Sequence, residues 1–170
     1  GGYDGKGVWV VRSEADAAEP FRAGVPVLAE EKVDFVRELA ANILAGLPPG
    51  RPAVLLFTSP GEGEGKTTTL APLAALLAER ISGGILAVDC NLGRPQLAEQ
   101  FGVAARLGLR AVLGGAVPWQ EAVRATSLEG LRVLPALPPG PGEDRPVDLS
   151  GMVPLLEELR RHYRLVLLDA

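Results

Sequence analysis

Lys66 and Thr67 close the run TSPGEGEGKTTT (58–69), behind three glycines, Gly61, Gly63 and Gly65, at alternate positions. Phosphate oxygens are held by several backbone N–H groups converging on one point, and glycine is the residue that lets main chain come that close. A lysine directly after such a turn reaches the β- and γ-phosphates of a nucleotide, and the hydroxyl next to it ligates Mg2+. Gly61, Gly63, Glu64, Gly65, Lys66, Thr67 and Thr68 are therefore candidate nucleotide ligands, with Lys66 as the reaching cation and Thr67 on the metal side. The strict spacing G-x-x-x-x-G-K-[ST] is not met, because Pro60 stands at the first glycine position. The competing interpretation is a Gly/Glu-rich turn that happens to precede a helix. An apolar run before it (54–57) and a helical pattern after it supply the strand–turn–helix context that a phosphate cradle requires.

Two carboxylates follow at matching places. ILAVDCNLGRP (85–95) ends an apolar strand on Asp89, and RLVLLDA (164–170) ends another on Asp169. In a parallel sheet the carboxyl ends of strands face the ligand crevice, where an acid can hold a metal-bound water or orient an attacking group. Each aspartate alone reads equally as a turn or cap residue; the lysine loop makes the pair a candidate acidic site. Asn91, two residues after Asp89, can ligate Mg2+ through its carbonyl oxygen but cannot act as a general base.

The elements that must position these residues are legible in outline. Residues 7–13 and 25–31 read as strands, with a helix between them over 13–23. From Asp34, Val36, Leu39, Ala40, Ile43, Leu44 and Leu47 keep helical spacing, and LPPGRP (47–52) ends the helix. The remainder alternates: strand 53–59, helix from Lys66 with Pro72 expected to kink or shorten it, strand 83–90, short helices in QLAEQFG, GLRAVLGG and WQEAVRAT, strand 131–136, a proline-rich loop, helix 150–163 and strand 164–169. Strands apolar throughout and separated by helices imply a parallel sheet covered on both faces.

The chain has 170 residues, 47% of them hydrophobic, and a formal net charge of −4. That is one ordinary domain with a real core, without the basic excess that nucleic-acid binding requires. The lone cysteine, Cys90, cannot staple the chain to itself and points to a reducing cytoplasm. No apolar run approaches the roughly 20 residues of a membrane span, and a chain that opens Gly-Gly and stops at LVLLDA reads as cut at both ends. His162 reads as a surface residue, Trp9 and Trp119 as packing anchors, Cys90 as a crevice wall, and Arg94 as either a phosphate or partner contact or a plain surface residue.

The order TSPGEGEGKTTT, ILAVDCNLGRPQLAEQFG, GLRAVLGG, WQEAVRAT, GLRVLPA and LLEELRRHYRLVLLD resembles the cytoplasmic domain of the bacterial tyrosine kinases of capsule and exopolysaccharide assembly, a branch of the P-loop ATPases that includes the chromosome-partitioning ATPases. The resemblance covers about 34–170 and implies an α/β fold, a P-loop NTPase-like parallel sheet flanked by helices. It implies ATP and Mg2+ at Lys66 and Thr67, metal roles for Thr67, Asp89 and Asp169, and catalytic roles for Lys66, Asp89 and Asn91. It also implies a membrane-bound activator protein at the inner face of the membrane and a homo-oligomer. Gly61 stands where the partitioning ATPases carry a further lysine. The family's Asp-x-Asp is Asp89-Cys90-Asn91 here; its Glu-x-x-Arg-x-x-Arg helix pattern is Asp34, Arg37 and Ala40; and its tyrosine cluster is absent, with Tyr3 and Tyr163 standing alone. Phosphoryl transfer to protein tyrosine is thus the family expectation, and a regulatory ATPase without kinase activity is the alternative.

GGYDGKGVWVVRSEADA followed by VPVLAEEKVDFVREL resembles something else, the ATP-grasp domain of carboxyaminoimidazole ribonucleotide synthase. Over about 1–39 that resemblance implies phosphate cover from Gly1, Gly2, Gly5, Lys6 and Gly7, and an adenine pocket at Glu30, Glu31 and Val33. The chain then divides into a small α/β N-terminal fragment, 1–33, and a P-loop domain, 34–170, truncated at its C-terminal end. A ligase fragment joined to a P-loop fragment, with no activity of its own, is a further expectation.

Overall fold

A computed structural model describes residues 2–3, 8–12, 30–58, 66–143 and 145–170, and side chains for 33–58, 69–143 and 145–170. Its strands are β1 (Gly2–Tyr3), β2 (Val8–Arg12), β3 (Ala53–Thr58), β4 (Ile85–Asp89), β5 (Arg124–Ala125), β6 (Leu131–Leu134) and β7 (Leu165–Asp169). The helices are α1 (Glu30–Gly46), α2 (Lys66–Arg80), α3 (Leu97–Gln100), α4 (Leu109–Leu113), α5 (Trp119–Ala122) and α6 (Met152–His162), the last entered through a 3-10 turn, Leu149–Gly151. The sheet order is β1-β2-β3-β7-β4-β6-β5. The five central strands are parallel and the two short edge strands antiparallel.

The apolar strands are buried on both faces, as continuous hydrophobic runs require. Leu55, Phe57, Ile85, Ala87, Leu131, Val133, Leu165 and Leu167 face one helical layer, with Val36, Ala40 and Ile43 of α1, Leu70, Leu73 and Leu77 of α2, and Leu97 of α3. Val54, Leu86, Val88, Leu134, Val166 and Leu168 face the other, with Leu109 of α4, Ala122 of α5, and Leu155 and Leu159 of α6. The expected α/β parallel sheet flanked by helices is the architecture found.

Three local expectations fail for physical reasons. Pro72 does not shorten α2, which runs unbroken from Lys66 to Arg80. A proline inside a helix costs about 3 kcal/mol. Leu70, Leu73, Ala74 and Leu77 are wholly buried on the same helix, and about 1.5–3 kcal/mol for each large side chain outweighs that cost. The strand expected over 25–31 gives way at its end, because Glu30 and Glu31 already belong to α1; acids suit the positive end of a helix. In WQEAVRAT only Trp119–Ala122 is helical; Val123 turns extended and Arg124–Ala125 pairs with Val133 and Arg132 of β6. The helix expected over 13–23 lies outside the described residues. β2 pairs in parallel with β3, so the N-terminal segment continues the same sheet.

At the amino ends of the strands, Arg164 joins three connections. Its guanidinium donates to the carbonyl of Pro48, at 2.7 Å, and to that of Arg51. Its own N–H meets Gly83 and Gly84 carbonyls, and its carbonyl accepts from Ala53 N–H. The proline linker is thereby fixed beside the start of β7. Arg164→Ala is expected to lower unfolding free energy by about 1–3 kcal/mol, the range for lost charged hydrogen bonds; a urea titration at constant m-value measures it.

Candidate functional site

Asp89 ends β4 and Asp169 ends β7, and the two stand directly opposite in the parallel register. On its other side Asp169 pairs with Phe57 of β3. β3 leads, through 59–65, to the first turn of α2 at Lys66. The topology therefore gathers the two acids and the strand that feeds the glycine run at the carboxyl edge of three adjacent strands, where chain order skips from β3 to β4 around β7. Such a switch in strand order is where open α/β sheets bind ligands.

Gly61, Gly63, Glu64 and Gly65 lie outside the described residues. The backbone of Lys66, Thr67 and Thr68 forms the N-terminus of α2, an end whose free N–H groups carry partial positive charge and suit an anion. Their side chains are outside the described ones, as are those of Glu30 and Glu31. Gly1, Gly5, Lys6 and Gly7 are not described, and of Gly2 only the backbone is.

Asp89 has no exposure, and its carboxylate is heavily used. Oδ1 accepts Asn91 N–H at 3.0 Å, while Oδ2 accepts Gln96 N–H at 2.9 Å and Leu97 N–H at 3.0 Å. Asp89 therefore folds the turn after β4 back on itself and receives the first amides of α3. Burial raises its pKa to about 6, against the lowering effect of those three amides, with the Asp169 charge a smaller raising influence. Asp169 is 2% exposed. Between them Cys90 donates its N–H to the Asp169 carbonyl at 2.8 Å. Burial, then Asp89 and Asp169, push its thiol up to about 12, which fits a crevice wall and not a nucleophile.

Asn91 is engaged in its own turn. Its Oδ1 accepts the N–H of Arg94 at 3.1 Å, so its carbonyl oxygen already serves the turn. Arg94 itself is exposed. Of the α1 positions singled out for assembly, Asp34 and Arg37 are exposed, while Ala40 is buried against the sheet. His162 lies at the opposite end of the sheet, exposed, 3.2 Å from Glu158 and 5.1 Å between ring centroids from Trp119. Trp119 also meets Tyr163 edge-on and belongs to the second core layer, a packing role. Among the described residues no group of three His, Cys, Asp or Glu is placed to hold a metal ion, and no helix is long and apolar enough to cross a membrane.

Sequence reasoning missed Gly108, which decides how α4 docks. Leu109 N–H donates to Pro135 O at 2.8 Å, just past β6. A Cβ at Gly108 would stand 2.8 Å from that same oxygen and 3.1 Å from Leu137 N. Its φ of −148 is ordinary extended backbone, so closeness alone demands glycine. Gly108→Ala is expected to cost about 1–3 kcal/mol, as overpacking does, and to lower the melting temperature accordingly.

No protein-family model matches the chain. The kinase domain of Escherichia coli tyrosine kinase ETK superposes on 81% of it, and on 53% of that domain, with a TM-score of 0.68 and 27% identity. The fold is that of the P-loop NTPases, shared with this kinase domain. The septum site-determining protein MinD of Pyrococcus horikoshii, solved with Mg-ADP, matches 69% of the chain and 48% of its own, with a TM-score of 0.61 and 28% identity. Among curated relatives, tyrosine-protein kinase YwqD of Bacillus subtilis is 34% identical over 91 residues, 52% of this chain. N5-carboxyaminoimidazole ribonucleotide synthase of Mycobacterium tuberculosis is 36% identical over 114 residues, 64% of this chain. The chain spans 38% and 25% of the lengths of these two relatives. Both sequence resemblances are thus present in known proteins, and the second is longer than the first 39 residues. The two shares together exceed the chain, so the two likenesses overlap.

Proposed function

We propose that the chain is an Mg·ATP-binding P-loop domain that transfers the γ-phosphoryl group to protein tyrosine, in the control of capsule or exopolysaccharide synthesis. The observation that carries this reading is the register of Asp89 against Asp169 at the carboxyl edge, one strand from the glycine run and the start of α2. In this reading Gly61, Gly63, Glu64 and Gly65 surround the phosphates with main-chain amides, while Thr68 adds the next N–H of the helix. Lys66 neutralises the β- and γ-phosphates. Mg2+ bound there shields the remaining phosphate charge and fixes the geometry of the triphosphate. A protein cluster of three acids is not needed for it, because Mg2+ takes one or two protein ligands together with phosphate oxygens and water. Thr67 supplies the direct hydroxyl. Asp169 acts through water or on the acceptor. Asp89, with Oδ2 occupied twice, keeps room only at Oδ1 and contributes chiefly by holding the turn that carries Asn91.

The same reading places 34–170 in the nucleotide domain and 1–33 in an ATP-grasp-like fragment whose β2 extends the sheet. It includes a membrane-bound activator, a location in the cytoplasm at the inner membrane face, and self-association. The second reading, an ATPase without kinase activity, is favoured by Asn91, whose carbonyl is committed to Arg94 N–H. Incubating the chain with γ-labelled ATP, Mg2+ and a tyrosine peptide separates the two. Label on the peptide supports the kinase; label released only as phosphate supports the ATPase; neither, with no nucleotide bound, removes both.

A further inference from the structure

A second concavity lies outside the aspartate crevice. It is a groove of about 410 Å3 between the turn after β4, at Leu92 and Gly93, α4 at Arg110, and the loop after β6, at Glu143, Arg145 and Val147. Three features distinguish it from a chance surface fold. First, Arg110 and Arg145 both line it in a chain whose net charge is −4. Second, Arg110 is only partly satisfied: one Nη donates to the Arg145 carbonyl at 3.3 Å, while Nε is buried with no hydrogen-bond partner. A guanidinium with one nitrogen so committed keeps its full positive charge, which attracts a carboxylate. Third, the acid in the lining is partly engaged within its own turn, since one oxygen of the Glu143 carboxylate accepts Gly140 N–H at 2.9 Å. Asp144 lies outside the described residues. The rest of the wall is apolar, and Leu149 at its rim is 57% exposed, with Val153, one helical turn on, 66% exposed.

We propose that this groove docks an acidic, apolar-flanked peptide segment of a partner protein, with Arg110 and Arg145 pairing its carboxylates and the Leu149 side receiving its apolar residue. That the partner is the phosphoryl acceptor rests on the kinase reading above; the docking itself does not. The groove shares the turn after β4 with Asp89 and Asn91, so a segment seated there lies beside the carboxyl edge of the sheet.

Fluorescence anisotropy on the whole chain tests this with two labelled peptides: one of Glu and Leu around a single Tyr, and its counterpart with Lys in place of Glu. The acidic peptide binds and the basic one does not, and binding weakens with added salt. Arg145→Gln, which leaves the main-chain carbonyl in place, and Arg110→Gln, which removes the charge, each reduce affinity by about tenfold, the scale of one charge-assisted hydrogen bond. Circular dichroism confirms that each variant is folded. Equal binding of both peptides, binding of neither, unchanged affinity in folded Arg145→Gln, or full displacement by millimolar inorganic phosphate overturns the proposal. Mg·ATP binding is followed on the same samples: if it is absent while the acidic peptide still binds, the nucleotide reading fails and the groove stands.

Discussion

Lys66→Ala is expected to remove half or more of the rise in melting temperature that Mg·ATP gives the unsubstituted chain. A ligand at one hundred times its dissociation constant stabilises the folded state by about 2.7 kcal/mol, which for a domain of this size is a shift of about 5–10 °C. A lysine on phosphate contributes a charge-assisted hydrogen bond of about 1.5–3 kcal/mol, so its loss weakens binding by roughly 10- to 100-fold. At the same nucleotide concentration and a 100-fold loss, the remaining shift is about 1 °C. Without nucleotide the variant melts close to the parent, because alanine is at least as good a helix former as lysine and position 66 is the first residue of α2. A thermal-shift titration on both proteins makes the comparison. An undiminished rise in Lys66→Ala would move nucleotide binding to the other glycine-rich segment, around Gly1 to Gly7, and the cradle at Gly61 to Gly65 would no longer be tenable.

The second large effect concerns acid. Asp89 titrates at about 6 in the folded chain against 3.8 as its ordinary value, and desolvation by burial is the main cause. Because the folded value is raised, native protein binds the proton more tightly than unfolded protein between these two pH values. The stability this group contributes is therefore fully present below about pH 4 and is lost as pH rises through about 6. Two pH units correspond to about 3 kcal/mol. Urea titrations from pH 4 to 7 are expected to show stability falling across that window from this residue. Asp89→Asn removes that slope, since amide does not titrate, while its Oδ1 still accepts one or two of the three amides. Asp89→Ala does worse at every pH: it leaves the N–H groups of Asn91, Gln96 and Leu97 without their acceptor, each at about 1–3 kcal/mol where water cannot replace it. A parent and Asp89→Asn with identical pH dependence would mean that the carboxylate is ionised at no cost, and the burial argument would fall.

The same residue shows how far the sequence could be read. Its place at the end of an apolar run, with Asp169 in the same situation, was enough to expect two acids at one edge, because strand direction alone fixes which end each occupies. Their pairing in register required β7 to insert between β3 and β4, which no local pattern states. What Asp89 does there was further out of reach. Two of its three amide donors are seven and eight residues away, in a segment whose return toward β4 is decided by the burial of Leu97. Asn91 likewise looked like a spare acceptor until the turn gave its oxygen to Arg94.

Sequence alone determined the alternation of elements, the α/β class, and the candidate ligands Lys66, Thr67, Asp89 and Asp169, because hydrophobic period and the chemistry of glycine, lysine and aspartate act over a few residues. It also carried both family resemblances. Tertiary structure decided the rest. It carried α2 through Pro72 by burying Leu70, Leu73 and Leu77; it ended the Trp119 helix early so that Arg124 and Ala125 could pair with β6; it set Arg164 across the linker at Pro48 and Arg51; and it opened the groove between Arg110 and Arg145. Each of these joins residues distant in the chain, and the free energy that selects them is the burial of a shared core, which a local window of sequence does not contain.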